Sequence, residues 1–458
     1  MDHTTPGFAA ADVKRQQLGN QMNRTYLMRP FKGTYDAIPS TLGKAPYSSE
    51  DLDAVRSAFI QAARSAGFKE ITTPILEATS LFIKSTGSSS DVVGKEMYTF
   101  DDRAGRSVTL RPEGTPGALR ALANAQGHLK EKLQKVYYVG PMFRYERPQQ
   151  GRHRQFTQFG IELIGAKCPM LDVDIISVAA HAFQQLGIQT RLEINTLGTR
   201  EERTQFHQAL VEYLTPLKDQ LSEDSQKRLA TNPLRILDSK LESDQRILNN
   251  APTLQQFLTN ASTAYFAQVK EALDSCGIEY RVNKRLVRGL DYYSDTVFEW
   301  VCDTIGSQSA LGGGGRYSGL YEQIGGNNSD GIGFAFGLER IILATHSQND
   351  QQNLPVKKRD IVCIPIQSPV TSPLLATVLA LRAAGYEVNL EPIASAKKLS
   401  KTLQSAAQKN YRYAIIAGQN ELDRNVVLIK NLETTQQSAL ELNTKSLLTY
   451  LSANQSAI

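Results

Sequence analysis

Apolar positions recur along this chain with two different periods. Leu52, Val55, Phe59, Ala62, Ala63 and Ala66 stand three and four residues apart, the spacing of one helix face. Ser48 with Asp51 reads as a capping box ahead of them and Gly67 ends the run, so an amphipathic helix is predicted. The next segment, FKEITTPILE, is extended, and Pro74 confines it to a sheet edge or a bulge. Tyr98–Asp101 and Val108–Arg111 read as a hairpin around Arg103–Arg106. Two longer strands follow, at about Val136–Glu146 and Arg154–Ile164, rich in aromatic and branched residues. The charged loop between them, Arg147–His153, carries Pro148, Gly151 and Arg152, which suit a turn. Leu171–Leu186 then returns to helical spacing.

Beyond this the texture changes. Residues 198–275 are rich in Gln, Leu, Ala, Glu and Lys with few strand signals, and read as a mostly helical insertion. Its basic residues, among them Lys218, Lys227, Arg228, Arg235 and Lys240, are scattered, and scattered charges usually solvate helix faces. Thr296–Val301 is a clear strand, and Gly331–Ile342 reads as a strand ending at Gly337 followed by a helix. Residues 346–357 form a polar linker. Over 358–458 strands and helices alternate: DIVCIPI, a helix near Pro373–Ala384, VNLEP, a helix near Ala396–Lys409, YAIIAG and VVLIK. That order argues a small α/β domain with a central, mixed sheet. The first 28 residues are polar and are expected to be a flexible extension of a main domain over 29–345.

Composition narrows the class only a little. A chain of 458 residues suggests two to four domains, and 41% hydrophobic with 21% charged residues is ordinary for a soluble globular protein. A formal net charge of +5 is compatible with a nucleic-acid partner without requiring one. The four cysteines, Cys168, Cys276, Cys302 and Cys363, lie far apart, with no zinc-like spacing and no disulfide framework. A reducing, cytoplasmic setting is the simplest expectation, with no secretory signal and no membrane partner.

The chemistry concentrates on the paired strands. Residues two apart share a strand face, so Arg144 and Glu146 point together, as do Arg154, Phe156, Gln158, Gly160 and Glu162. Arginines, a ring, an amide and a carboxylate do not make a core wall, because unpaired buried charge is costly. A solvated sheet face is the bland reading, but it has no need of Phe156 or Gly160. The face offers guanidinium groups for phosphates, a ring for a base and a carboxylate for a donor. Upstream, Thr115 before Pro116 reads as an N-cap, which holds Glu113 at a strand-to-helix junction. A well-capped helix with an exposed acid and a binding site explain that junction equally. The glycines Gly312–Gly315 suit either a flexible turn or close approach of backbone to a ligand. Arg340 falls in the first turn of a helix, where a cation is disfavoured unless an anion joins it.

The segment GPMFRYERPQQGRHRQFTQFGIE resembles motif 2 of the class II aminoacyl-tRNA synthetases, in the form used by the histidyl-tRNA synthetase family. RGLDYY, beginning at Arg288, resembles that family's first histidine motif, and GGGRY resembles its second. GLER resembles motif 3, and the first helix with its Pro-containing strand resembles motif 1, the family's dimer interface. The chain departs from the family pattern at Ser294 and Asp295, and at Thr157 where relatives often have His. The resemblance covers nearly everything after residue 29. It implies an α+β catalytic core built on an antiparallel sheet, a helical insertion that contacts the tRNA acceptor arm, and a C-terminal α/β anticodon-binding domain. It implies activation of L-histidine with ATP to an adenylate, then transfer to the 3′ end of tRNA(His).

Residue by residue, the resemblance places Arg288 and Arg144 as catalytic groups at the α-phosphate and carboxylate. Arg152, Arg154 and Arg340 would hold the distal phosphates, with Glu146 on the ATP side and Phe156 stacked on adenine. Glu162 with Tyr292 or Tyr293 would read the imidazole, with Tyr317 near the amino acid. Glu113, Thr115 and Gln158 would hold the α-amino group. ATP with Mg²⁺ is expected as substrate, with no tightly bound cofactor and no permanent metal site, and the assembly is expected to be a homodimer. The rivals are the histidine-sensing regulatory subunit of ATP phosphoribosyltransferase and an RNA-binding or stress-signalling module on the same fold. The regulatory subunit usually lacks the C-terminal domain that this chain carries.

Overall fold

The computed structural model describes residues 29–454, apart from 41, 44, 88–91, 126–132, 148, 150, 238, 240, 289–291, 307–308, 349–358 and 368–371. The expected extension over 1–28 and most of the expected linker lie outside the described residues, as do Pro148, Lys240 and the central Gly289–Asp291 of the RGLDYY motif.

Helix α1 (Ser49–Ser65) forms as its sequence dictates. The Ser48 hydroxyl accepts from the Asp51 amide at 3.0 Å, the Asp51 carboxylate accepts from the Ser48 amide, and Gly67 turns the chain with φ +83°. Strand β1 (Lys69–Glu70) follows at a sheet edge. A separate three-stranded sheet comes next, from β2 (Leu76–Ala78), β3 (Tyr98–Asp101) and β4 (Ser107–Leu110). Then come helix α2 (Thr115–Ala125), the long hairpin β5 (Gln134–Phe143) and β6 (Gln155–Ile164), helix α3 (Pro169–Leu186), and β7 (Arg191–Thr196). Helices α4 (Arg200–Leu214) and α5 (Asn260–Ser275) bracket the insertion. Strands β8 (Tyr280–Val282), β9 (Ser294–Val301), β10 (Ala310–Tyr317) and β11 (Gly331–Gly337) and helix α6 (Leu338–Gln348) complete the unit.

The large sheet runs β1-β5-β6-β11-β10-β9-β7-β8. Its six central strands are antiparallel, as expected, and a parallel strand is added at each edge. Alternation along β6 divides its two jobs. Phe159, Ile161 and Leu163 face the helical layer, and Phe156, Gln158 and Glu162 face the opposite side. Phe59 of α1 sits among Phe159, Phe183 and Phe336, with ring centroids 5.2–5.5 Å away. Burying such a ring contributes about 2–3 kcal/mol.

A fully buried ion pair ties the sheet to that layer. Arg316 of β10 meets Asp172 of α3 at 2.6 Å, and neither side chain is exposed. The guanidinium also donates to Tyr265 of α5 at 2.8 Å and to the carbonyls of Ala166 and Cys168. Removing one partner of a buried pair leaves the other charge stranded. Arg316→Met is therefore expected to destabilise this unit by about 3–5 kcal/mol in urea unfolding, and a loss under about 1 kcal/mol would show the pair to be marginal.

The insertion divides where the sequence suggested one unit. Leu210, Leu214, Ile236, Leu248 and Leu254 make a small second core together with Leu286, Tyr293 and Val297. Val269 and Leu273 of α5 instead join the main core beside α3, so the last helix of the 198–275 stretch belongs to the sheet's helical layer.

The C-terminal domain has the expected mixed sheet. Strands β12 (Arg359–Pro365), β13 (Val388–Leu390), β14 (Tyr411–Ala417), β15 (Val426–Asn431) and β16 (Gln437–Glu441) run β13-β12-β14-β15-β16, the first three parallel and the rest antiparallel. Helices α7 (Ser372–Ala383) and α9 (Thr444–Ala453) pack on one face, and α8 (Leu399–Gln408) packs on the other. Among the described residues no helix is long and apolar enough to cross a membrane.

Candidate active site

The side of the sheet away from α1 and α3 carries a cleft of about 280 Å³. Thirteen of the fourteen residues named from the sequence line it: Glu113, Thr115, Arg144, Glu146, Arg152, Phe156, Gln158, Glu162, Arg288, Tyr292, Tyr293, Tyr317 and Arg340, with Arg154 left out. Strand β6 begins only at Gln155, so alternation does not reach position 154. The Arg154 guanidinium lies over the Tyr145 ring instead, 4.2 Å from its centroid. Strand β5 likewise ends at Phe143, so Arg144 and Glu146 reach the cleft from the loop rather than from a shared strand face.

One end of the cleft is acidic and closed. Glu162 is fully buried, and it accepts from the Thr115 hydroxyl at 2.6 Å and the Tyr317 hydroxyl at 2.6 Å. Burial pushes its carboxyl up to about 8, although those hydroxyls favour the ionised form. Glu113 is buried nearby and accepts from Tyr292 Oη at 3.3 Å. Burial pushes it up to about 7 against the pull of Arg144. Its Oε1 finds no hydrogen-bond partner among the described residues. Gln158 Oε1 accepts from the Gly114 amide at 3.0 Å, which leaves the Gln158 amide nitrogen for other use.

Thr115 is not the N-cap that its sequence suggested. The Ala118 amide bonds the Gly114 carbonyl, so Gly114 caps α2, Thr115 is the first helical residue, and its hydroxyl is turned to Glu162. Gly160 also has a different reason from the one expected. A methyl there would stand 2.4 Å from the Tyr138 ring, which packs over both Gly160 and Gly114. Tyr138 was not singled out by sequence, yet its hydroxyl lies 3.4 Å from Glu162.

Tyr317 and Glu162 sit on β10 and β6, which are not neighbours; β11 runs between them. Glycines let them meet. A methyl at Gly333 would stand 2.1 Å from Glu162 Oε2, and one at Gly331 would stand 2.1 Å from the Tyr317 ring. The glycines 312–315 prove to be strand rather than turn. A methyl at Gly313 would strike the Phe298 carbonyl at 2.3 Å, and one at Gly314 the Gly333 carbonyl at 1.9 Å. Gly312 and Gly313 also line the cleft, so backbone does approach the site.

The other end is cationic. Arg144 is held by its Nε on the Pro112 carbonyl at 2.9 Å and lies over Phe156, 5.4 Å from the ring centroid. Arg152 donates to Glu146 at 3.3 Å. Arg340 is third in α6 and donates to the Ala310 carbonyl at 2.7 Å; burial and the neighbouring Arg152 hold its guanidinium below its ordinary value. Arg288 donates through Nη1 to Glu299 at 2.7 Å, while its buried Nε finds no partner among the described residues. Glu299 was missed, although an acid inside the apolar run VFEWV was a signal. Convergent guanidinium groups, a stacking ring and a buried acid suit an anionic nucleotide beside a small cationic or polar group.

A family model for histidyl-tRNA synthetase matches residues 44–341. The chain belongs to the histidyl-tRNA synthetase family. A model for an anticodon binding domain matches 360–454. A histidine–tRNA ligase from Marinomonas sp. (strain MWYL1) is 44% identical over 378 residues, covering 82% of this chain and 88% of that protein. The crystal structure of the apo histidyl-tRNA synthetase of S. aureus matches with TM-score 0.70 at 32% identity, over 93% of this chain and all of that one. A histidyl-tRNA synthetase from Nostoc sp. PCC 7120 shares the fold at 19% identity, with TM-score 0.64, over 88% of this chain and 97% of that one. The synthetase-type fold that the motif resemblance implied is thus the observed one.

Proposed function

We propose that this chain is a histidine–tRNA ligase, activating L-histidine with ATP and passing it to tRNA(His). The observation that carries this reading is Glu162, a buried carboxylate oriented by two hydroxyls at the closed end of an arginine-lined cleft. An acid so placed accepts an imidazole N–H, and Tyr292 or Tyr293 meets the other ring nitrogen. Glu113, whose second oxygen has no partner among the described residues, suits an α-ammonium, together with Gln158 and the oxygen of Thr115. Arg288 and Arg144 are assigned to the carboxylate and α-phosphate, Arg152 and Arg340 to the distal phosphates, and Phe156 to adenine. Glu146 sits between Arg144 and Arg152 and keeps them spaced. Arg154 is dropped from the direct contacts.

The chemical problem is that a carboxylate must approach a phosphate of like charge. Fixed guanidinium groups offset that repulsion without reorganising during the reaction. Mg²⁺ comes with ATP and supplies further charge neutralisation. Histidine-dependent exchange of pyrophosphate into ATP, followed by charging of tRNA(His), tests the reading; exchange without charging would leave a histidine-activating relative, and neither would overturn it.

Two further outcomes belong to this reading. An α-ammonium beside Glu113 favours its ionised form and so lowers its pKa. Histidine binding near neutral pH is therefore expected to expel on the order of one proton, and less as pH rises past the values of both acids. Titration calorimetry in buffers of different ionisation enthalpy reads this directly, and net proton uptake would contradict the assignment.

The expected homodimer has a candidate face. Leu76, Leu110 and Tyr98 are in register across the small sheet, as are Ala78, Val108 and Phe100, so one face of it is wholly apolar. Leu76 is 50% and Phe100 47% exposed, which a second copy of the chain would cover. Phe100→Asp is expected to weaken self-association at least about tenfold by light scattering. An unchanged dimer would place the interface elsewhere.

A further inference from the structure

Strand β9 starts directly after the tyrosines assigned to the imidazole, and it starts irregularly. Val297 pairs with Gly315 of β10 and Ser294 with Arg316, so one step on β10 spans three on β9, and Asp295 and Thr296 bulge from that ladder. A bulge bends its strand and re-aims the side chains beside it. Asp295 lies in the left-handed region, at φ +45°, and is only 3% exposed. Side chains other than glycine are strained there, although aspartate bears the conformation better than most.

Neighbouring groups hold the residue in that state. Its amide donates to the Gly198 carbonyl at 2.9 Å, and its carbonyl accepts from the Leu197 amide at 2.7 Å. Its carboxylate accepts from Lys167 Nζ at 2.7 Å, which reaches across from the loop between β6 and α3. Lys167 in turn stands over the Tyr265 ring, 5.2 Å from its centroid, and Tyr265 is bonded to the buried pair of Arg316 and Asp172. The bulge is thereby tied to the core. Its direction bears on three rings of the pocket: Tyr292 lies 4.6 Å from Tyr293 and 5.9 Å from Tyr317 between centroids. Ser294 Oγ also accepts from the amide of Ser318, the residue after Tyr317, at 3.2 Å.

We propose that Asp295 and Lys167 are positioning residues for histidine: their ion pair pins the bulge that turns Tyr292 and Tyr293 toward the imidazole. The effect on histidine rests on the role proposed above for those tyrosines; the pinning of the bulge does not. Stability alone does not account for the pair. The lysine is one-third exposed, such a pair contributes little, and the left-handed backbone costs something in return, so glycine would serve the fold as well. What aspartate adds is a fixed point two residues from Tyr293.

Asp295→Gly separates the two roles, because glycine takes this backbone without strain and leaves Lys167 to solvent. The full-length variant is expected to melt no lower than the native chain. It is nevertheless expected to need about fivefold more histidine in pyrophosphate exchange, with the ATP KM and the turnover near their native values. Adding Lys167→Met to Asp295→Gly is expected to raise the histidine KM no further, because the pair is already broken. Amide hydrogen exchange over residues 292–294, read by mass spectrometry without substrates, is expected to quicken in Asp295→Gly. A native histidine KM in Asp295→Gly would overturn the proposal. So would an equal rise in the ATP KM, which would mark a general loosening, or a further loss on adding Lys167→Met, which would give Lys167 a different role. Unchanged amides would overturn the pinning itself. Quickened amides in a chain whose native form exchanges no pyrophosphate would instead overturn the proposed activity and leave the pinning of the bulge standing.

Discussion

Replacing Arg288 by alanine is expected to lower histidine-dependent ATP–pyrophosphate exchange by roughly 10²–10³-fold, with a much smaller change in histidine affinity. The argument starts from where its donors point. Nη1 is fixed on Glu299 at 2.7 Å, and the ring of Tyr293 lies beneath the guanidinium, 5.8 Å to its centroid. These contacts hold the group still, and Nε has no partner among the described residues. A preset cation stabilises charge that develops as carboxylate and phosphate approach, and does less for either reactant alone. Arg288→Lys keeps the charge but loses the planar fork, so it should fall between the two. Kinetics at varied histidine and ATP separate the cases. Equal losses in binding and turnover would reduce Arg288 to a substrate anchor.

Glu162→Ala is expected to act on the other parameter, raising the histidine KM by roughly 10²-fold or more while the ATP KM stays near its native value. A pocket built to pair with a polar group discriminates because its own groups suffer when the pairing is lost. Here the hydroxyls of Thr115 and Tyr317 both point at the carboxylate, so truncation also strands them. Exchange kinetics read the two KM values separately. An unchanged histidine KM would exclude Glu162 from recognition.

Much of this was legible before any coordinates, for reasons that differ by element. Helix α1 carries its own punctuation in Ser48, Asp51 and Gly67, and its apolar positions have the right period, so local rules sufficed. The paired strands announced a site because their polar face resists any explanation as core. Failures came where tertiary packing decides. Thr115 has the chemistry of a cap, but Glu162, 47 residues away, takes its hydroxyl. Arg154 has the right parity, but the strand starts one residue too late. The glycines of β10 suited a ligand approach or a turn, and that they are a strand stayed hidden because close strand packing leaves no mark in one sequence. Tyr138 and Glu299 sit in apolar runs, and only the fold shows which way they face.

The bare floor that β11 lays between Glu162 and Tyr317 bears on how this protein could be re-tooled. The side chains proposed to read histidine, Glu162 and Tyr317, come from two strands, and the one between them contributes by having no side chain to get in the way. Re-aiming the pocket at a different amino acid therefore means rewriting positions 162, 317 and 333 together. Libraries that vary one of these sites at a time would keep returning crippled intermediates, whereas simultaneous randomisation of the trio searches the only combinations that can interlock.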